Sequence, residues 1–443
     1  MPLTLNTRAR KPSRRAFCSG AATVLLAPGE LLRATALAAQ PQAGPPGTPT
    51  RPDVAAIDHD RILAAAERYL ALQPTPLTSL PNPRSPGTAH DYYSEAQTPE
   101  PTTDAKTKIA PPPFTAHRDA LFTLGLAVPA LAAARLLTGE ERYAEHAVVW
   151  LRAWFVHPDT CMTPSLDFGQ VVLAHAAPEQ STVEDKPTPP PPAHPGGRLE
   201  GILETLPLAE VAQAIPFLAT SPAFPEADQK AVRGWFAAYL HWLTAPQDSG
   251  PRLAALARDQ KNHHGTSWLL QASAYATFIA PDSTAPRSED NALEPLRHHF
   301  KAVTLRAQIT ADGSFPHELP SPAPYRDSLF NLDMLAAVCL LLSTRFDSVW
   351  DYQLEDGPGM RSAIAYHFPF IADRGLWPFR ADSAHFDQLP ARRASLLFSA
   401  RAYQRPEYAA LWKTLPPDPA SLDVLRTLPI HQPLLWVRQP PRG

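Results

Sequence analysis

The run Leu137-Thr138-Gly139-Glu140-Glu141-Arg142-Tyr143-Ala144 stops one helix and starts another. Upstream, residues 118–137 read as helical, and Thr138-Gly139 is a stop, because glycine adopts the left-handed conformation that ends a helix at little cost. Downstream, 140–155 places Tyr143, Ala147, Val148, Leu151 and Trp154 on one face. That spacing marks a helix with one buried side. The unit is a helical hairpin.

The pattern repeats along the chain. Residues 58–72 carry Ile62, Leu63, Ala66, Tyr69 and Leu70 at helical spacing, and further helical runs lie at 199–218, 225–244, 252–279, 289–306, 328–343, 358–371 and 391–412. Strand signals are weak. Prolines number 53 and cluster at 41–53, 74–86, 99–113 and 187–195. Proline cannot donate to a ladder and restricts the residue before it, so these clusters read as loops. Helix pairs joined by proline-rich loops predict an all-α array with an inner ring that presents a groove of helix ends. No fixed-period repeat stands out, which argues against a regular solenoid.

With 443 residues, 44% of them hydrophobic, the chain can bury a large core. Its first 38 residues read as an export signal. Arg8, Arg10 and Lys11 precede Ser13-Arg14-Arg15-Ala16-Phe17, a mildly apolar run follows from Ala21 to Ala27, and Ala36-Leu37-Ala38 offers a cleavage site. Adjacent arginines, an apolar core and A-x-A in order resemble a twin-arginine signal. An ordinary secretory signal is the plainer alternative. Residues 39–57 read as a linker. No later stretch is read as apolar enough to span a bilayer, so a periplasmic or secreted soluble protein is expected.

Losing 1–38 removes six basic residues and one acidic residue, which takes the formal charge from −3 to −8. An acidic surface argues against nucleic acid as partner. An anionic substrate then needs a local basic patch. Cys18 leaves with the signal. Cys161 and Cys339 make no disulfide framework; they could pair, but the expected role is that of small buried residues.

The densest polar group is Lys261-Asn262-His263-His264-Gly265-Thr266-Ser267-Trp268, ahead of an apolar run. A helix start here would aim free backbone N–H groups and partial positive charge at an anion. The bland alternative is Asn262 as a cap with solvated histidines. Adjacent helical residues diverge by about 100°, so the two imidazoles are not expected to share one task. A second group runs from Asp312-Gly313 through His317-Glu318-Leu319 to Pro324-Tyr325-Arg326-Asp327-Ser328. Tyr325 beside Arg326 reads as a phenol able to act as base and then acid, or as a simple staple with Asp327 or Ser328 capping. Arg198, after Gly196-Gly197, reads as a carboxylate clamp or an ordinary surface arginine. Metal ligation and organic cofactors are not expected: His263/His264 and His298/His299 are adjacent pairs, and H-E-x-x-H, CxxC pairs, the P-loop and G-x-S-x-G are missing.

Several segments resemble, in order, the alginate lyase domain family of α/α-toroid polysaccharide lyases. They are His90-Asp91-Tyr92-Tyr93-Ser94-Glu95, Leu137 to Ala144, Leu151-Arg152-Ala153-Trp154-Phe155, Met162 to Gln170, Gly197-Arg198 to Thr205, Lys261 to Thr266, Asp312-Gly313 to Leu319, and Ser328 to Leu332. The resemblance covers about 58–380. It implies an incomplete (α/α) toroid over 58–415, followed by a C-terminal extension over 416–443. It also implies β-elimination on a uronate polymer, alginate-like or glucuronan-like. An Asn-His pair and an arginine neutralise the uronate carboxylate, and a tyrosine takes the C5 proton. The family's Asn-Asn-His-Gly maps onto Asn262-His263-His264-Gly265, so His263 replaces the neutralising asparagine. Asp327 stands at the tyrosine's place, two residues after Tyr325. The family's arginine-rich run appears as Pro320-Ser321-Pro322-Ala323-Pro324, and its aromatic continuation as Ala96-Gln97-Thr98-Pro99.

The expected roles are therefore His264, Tyr325, His263 and Arg326 in the proton and charge chemistry, with Asn262, Arg198, Tyr92, Tyr93 and Gln170 on the sugar. Two rivals stay open: a non-catalytic carbohydrate-binding protein on this fold, and a glycoside hydrolase with paired carboxylates drawn from Glu95, Glu204, Glu318 and Asp327.

Overall fold

Several helices in this chain end beside a glycine or a proline. Ala116–Thr138 stops at Gly139, which has φ 72° and donates its N–H to the Arg135 carbonyl. Glu141–Phe155 starts at once and buries Tyr143, Ala147, Val148, Leu151 and Trp154 against it. The expected hairpin is therefore present, shifted by one or two residues at its ends. The computed structural model describes residues 51–96, 112–173, 196–246, 252–280, 292–355 and 357–441. The export segment, most of the 39–57 linker and the proline tract at 187–195 lie outside the described residues.

Two rows of helices follow from the packing. The inner row runs Ala116–Thr138, Pro207–Ala214, His263–Ile279, Pro324–Leu342 and Ala394–Tyr403, each packed on the next. Outer helices Glu141–Phe155, Glu226–Thr244, Leu293–His299, Met360–Ala372 and Pro406–Thr414 back them. This is the expected all-α toroid of helical hairpins. Inner helices are apolar all round, as elements covered on every side must be. His263–Ile279 and Pro324–Leu342 bury almost every residue. The inner row is also tight: a Cβ on Gly125 would sit 2.3 Å from the Cβ of Pro207. Residues Gly47–Gly443 form one unit.

Four departures have local causes. The 252–279 run is broken into Arg252–Arg258 and His263–Ile279. The 391–412 run divides at Gln404, which takes a left-handed turn (φ 58°) before Pro406. Two short parallel strands, Tyr93–Glu95 and Phe168–Val171, tie the 90s loop to the segment before Arg198. The helix Ala116–Thr138 is long and apolar enough to cross a bilayer, contrary to the expectation that no such stretch follows the signal. Most of its length, 67% of the apolar window, is buried in the toroid, as befits a core helix.

The C-terminal extension packs into the body of the protein. Leu428, Ile430, Leu434, Leu435 and Trp436 are buried. Pro433–Val437 lies against Ala116–Thr138 and Pro207–Ala214, and Arg61 reaches Asp418 and the His431 carbonyl.

Candidate active site

The start of His263–Ile279 is built by side chains that satisfy its free N–H groups. Asn262 is the N-cap, and its Oδ1 accepts from the backbone N–H of His264 at 3.2 Å. Glu318 accepts the N–H of His263 through one oxygen and faces the His263 Nδ1 with the other, both at 2.7 Å. Beneath the turn, Gln308 joins Thr266, Asn331 and the Asn262 carbonyl in a buried amide network. Gly265 is required: a Cβ there would lie 2.2 Å from the Gln260 carbonyl oxygen. That close approach lets the chain break at 259–262 and restart with two imidazoles at the helix mouth.

The two imidazoles have opposite character. His263 is half-buried, and burial alone would discourage its charge. The hydrogen bond and charge of Glu318, with Asp327 adding, outweigh that and raise its pKa. His264 is pushed down to about 3 by burial and then by the charge of His263. The rings stand 4.3 Å apart. Because the Asn262 Oδ1 is held toward His264 by the backbone, it can only accept from Nδ1, also 3.2 Å away. The proton of the neutral ring is thereby assigned to Nδ1, and Nε2 keeps its lone pair.

His264 lines a cleft of ≈ 370 Å³ together with Gln170, Glu200, Glu204, Arg118 and Arg426. Three inner helices begin at this cleft. Arg118 and Phe122 come from the first turns of Ala116–Thr138, Pro207 opens the next helix, and His264 the third. Their N-terminal ends give the cleft partial positive charge despite the acidic chain. Glu204 is buried in the wall, where it accepts from Tyr92, Ser94 and Gln170. Burial raises its carboxyl pKa against those donors.

The expected residues divide sharply. His264 and Gln170 line the cleft, with His263 and Asn262 directly behind His264. Tyr325 does not join them. Its hydroxyl donates to the Phe370 carbonyl at 2.8 Å, its ring packs on Trp377 and Phe386, and burial raises its pKa. The expectation of a phenol beside Arg326 able to act as base and then acid is thus corrected: burial raises its pKa. Asp327, two residues on and roughly 200° around the helix, is the residue that faces His263. Arg326 turns back to pair with Asp327, at 2.8 Å. The helix cap is neither Asp327 nor Ser328 but Asp382, which accepts the N–H groups of Tyr325 and Arg326 from a distant loop.

Tyr92 and Tyr93 are buried and bonded to Glu204 and Glu95, so they shape the wall rather than expose faces to sugar. Arg198 pairs with Glu200 at an exposed position. Of the four carboxylates considered for hydrolysis, only Glu204 reaches the cleft. Glu95 is gripped by two nitrogens of Arg84, Glu318 is bonded to His263, and Asp327 holds Arg326 and Ser321. Potential ligand atoms of His263, Glu318 and Asp327 lie within 4.8 Å of one another, the one such set among the described residues. Each is engaged in the ion pairs just described, His263 with Glu318 and Asp327 with Arg326.

Arg118, Arg426 and His431 were not legible as site residues. Nothing local marks them, and they meet only because the 426–431 segment folds back onto the helix Ala116–Thr138.

The alginate lyase family model matches residues 77–377. Among solved structures, an alginate lyase from Bacteroides ovatus has the same fold, with a TM-score of 0.67 and 23% identity over 87% of this chain and 94% of that one. Alginate lyase A1-III from Sphingomonas species A1 aligns with a TM-score of 0.44 and 13% identity, over 80% of this chain and 90% of that one. No curated protein matches. The family match spans more than half of the chain and contains every element of the His263–His264 turn, so the chain belongs to the alginate lyase family and is a polysaccharide lyase.

Proposed function

We propose that this lyase cleaves a uronate-containing polysaccharide, alginate-like or glucuronan-like, by β-elimination in the cleft at His264. The observation that carries the reading is geometric: two imidazoles stand 4.3 Å apart, one backed by the Glu318 carboxylate and the other lining the cleft. Such an asymmetry marks the division between a charge-neutralising group and a base.

His263, whose pKa Glu318 raises, adds positive charge from behind His264 to the partial charge of the helix N-termini, and together they offset the substrate carboxylate. Cancelling that charge stabilises the enolate-like state formed as the C5–H bond breaks. His264 takes the C5 proton on Nε2. The C5–H electron pair becomes the C4=C5 bond, the C4–O4 bond breaks, and O4 leaves with a proton. His264 returns that proton when hydrogen and O4 depart from the same face. Glu204, which holds its proton to higher pH than an ordinary carboxyl, is the other proton carrier on the wall. Gln170 bonds sugar hydroxyls.

A base held near 3 is weak in the empty site. An incoming carboxylate offsets the charge on His263, one of the two causes of that depression, so His264 gains basicity as substrate binds. Tyr325 and Arg326 have no part in this scheme. Export through the twin-arginine segment belongs to the same reading, since a polymer of this kind lies outside the cytoplasm.

The test is product chemistry. Purified enzyme on alginate, glucuronan and related uronate polymers is expected to release oligosaccharides with an unsaturated uronate at the new non-reducing end. Saturated products would contradict the reading and favour hydrolysis.

A further inference from the structure

The C-terminal segment lies beyond residue 377, where the family match ends, yet it forms part of the cleft wall. Arg426, Leu428, Pro429 and His431 share the cavity with Gln170, Glu204 and His264. The segment is fastened there. The backbone N–H groups of His431 and Gln432 donate to the buried Glu210 at 2.6–2.9 Å. Below them, Leu434, Leu435 and Trp436 are buried in the core.

What this segment brings to the cleft is a cation. Asp119 sits between two guanidinium groups, Arg118 at 3.3 Å and Arg426 at 2.6 Å. One carboxylate answers two positive charges. The next acid, Asp423, stands 3.9 Å from Arg426, and its side chain is largely in solvent, where screening weakens it. Arg426 also keeps a buried Nε without a hydrogen-bond partner. Its guanidinium lies over the Phe122 ring, 5.4 Å from the centroid, which holds it at the cleft wall. On the other side of the charge balance, Glu200 is held by Arg198 and Glu204 is biased toward its neutral form by burial. Arg118 and Arg426 therefore leave the cleft with an unanswered positive end, separate from the His263 pair.

We propose that Arg118 and Arg426 form a second carboxylate subsite, half of it supplied by the C-terminal segment, which takes the acid group of the uronate next to the one at His264 on the side away from the scissile bond. The subsite rests on the reading of the cleft as the place of elimination. It makes the enzyme one for runs of consecutive uronates: a polymer with neutral sugars at that neighbouring position leaves the arginines unanswered.

The experiment uses the full chain and size-defined oligouronides. Arg426→Gln is expected to raise KM on longer oligouronides by about tenfold, the worth of a charge-assisted hydrogen bond, with kcat nearly unchanged. On the shortest oligouronide that is cleaved, the same variant behaves as wild type. Arg426→Lys recovers part of the loss, and it keeps the test valid should Arg426→Gln melt at a much lower temperature. An equal KM rise at every length, or none at any, overturns the subsite. His264→Gln run alongside separates the two levels: if it is inactive while Arg426→Gln is unaltered, the subsite alone is wrong, whereas full activity of His264→Gln removes the reading of the cleft and the subsite with it.

Discussion

The His263 and His264 rings lie 4.3 Å apart, centroid to centroid, and only the first is backed by a carboxylate. Proximity and a one-sided partner together set the polarity of the site. The pKa of His263 is raised mainly through Glu318, against burial, while that of His264 is held at about 3. Activity should therefore fall on the alkaline side as His263 loses its proton. Glu318→Gln removes the support and should move that alkaline limb of kcat/KM to lower pH, with stability altered in the same sense. A raised histidine pKa stabilises the fold fully below its unfolded value near 6.5 and loses this as pH rises through the folded value. A kcat/KM profile of the variant that overlays wild type would refute the pairing.

Substrate should change the base. If the bound carboxylate offsets His263, the acid limb of kcat, which reports the complex, should lie at higher pH than the acid limb of kcat/KM, which reports the free enzyme. Coincident limbs would show that binding leaves His264 untouched.

Asn262 fixes a tautomer as well as capping a helix. Asn262→Ala should cost about 1 kcal/mol of stability as a lost cap and lower kcat on the order of 10–100-fold, the usual effect of removing a partner that orients a functional histidine. Chemical denaturation and steady-state kinetics on one preparation separate the two effects. A stability loss without a kcat loss would assign Asn262 to structure alone.

Tyr325 is expected to be dispensable for chemistry. Tyr325→Phe deletes a hydrogen bond to the Phe370 carbonyl and should cost about 1 kcal/mol of stability with kcat unchanged. Abolished turnover in a folded Tyr325→Phe would restore the phenol as base.

How the sequence succeeded and failed follows from range. Helical periodicity is local, so the hairpin around Gly139 and most inner helices are legible from spacing alone. The break at 259–262 is not, because it depends on Gly265 passing close to the Gln260 carbonyl. The imidazole pair is legible as a polar cluster opening an apolar helix. Tyr325 misleads for the opposite reason: its neighbour Arg326 suggests activation, but helix geometry turns the phenol toward Phe370, Trp377 and Phe386, far along the chain. Arg118 and Arg426 are about three hundred residues apart, and only tertiary closure brings them to one carboxylate.

Glu210 should make stability depend on pH in the acid range. Burial lifts its carboxyl to about 7 although three backbone bonds favour the ionised form. A raised carboxyl holds more protons folded than unfolded, so its contribution falls as pH rises from about 4.5 toward 7. Glu210→Gln should flatten that slope in thermal melts. An unchanged slope would place the titration elsewhere.

The central claim is that the imidazole at 264 removes the C5 proton. The direct measurement is the growth of unsaturated-uronate absorbance on the preferred polymer, wild type against His264→Gln, with both shown folded. The account predicts a steady rise for wild type and a loss of 10²–10⁴-fold for the variant. Wild-type rates in a folded His264→Gln would contradict it.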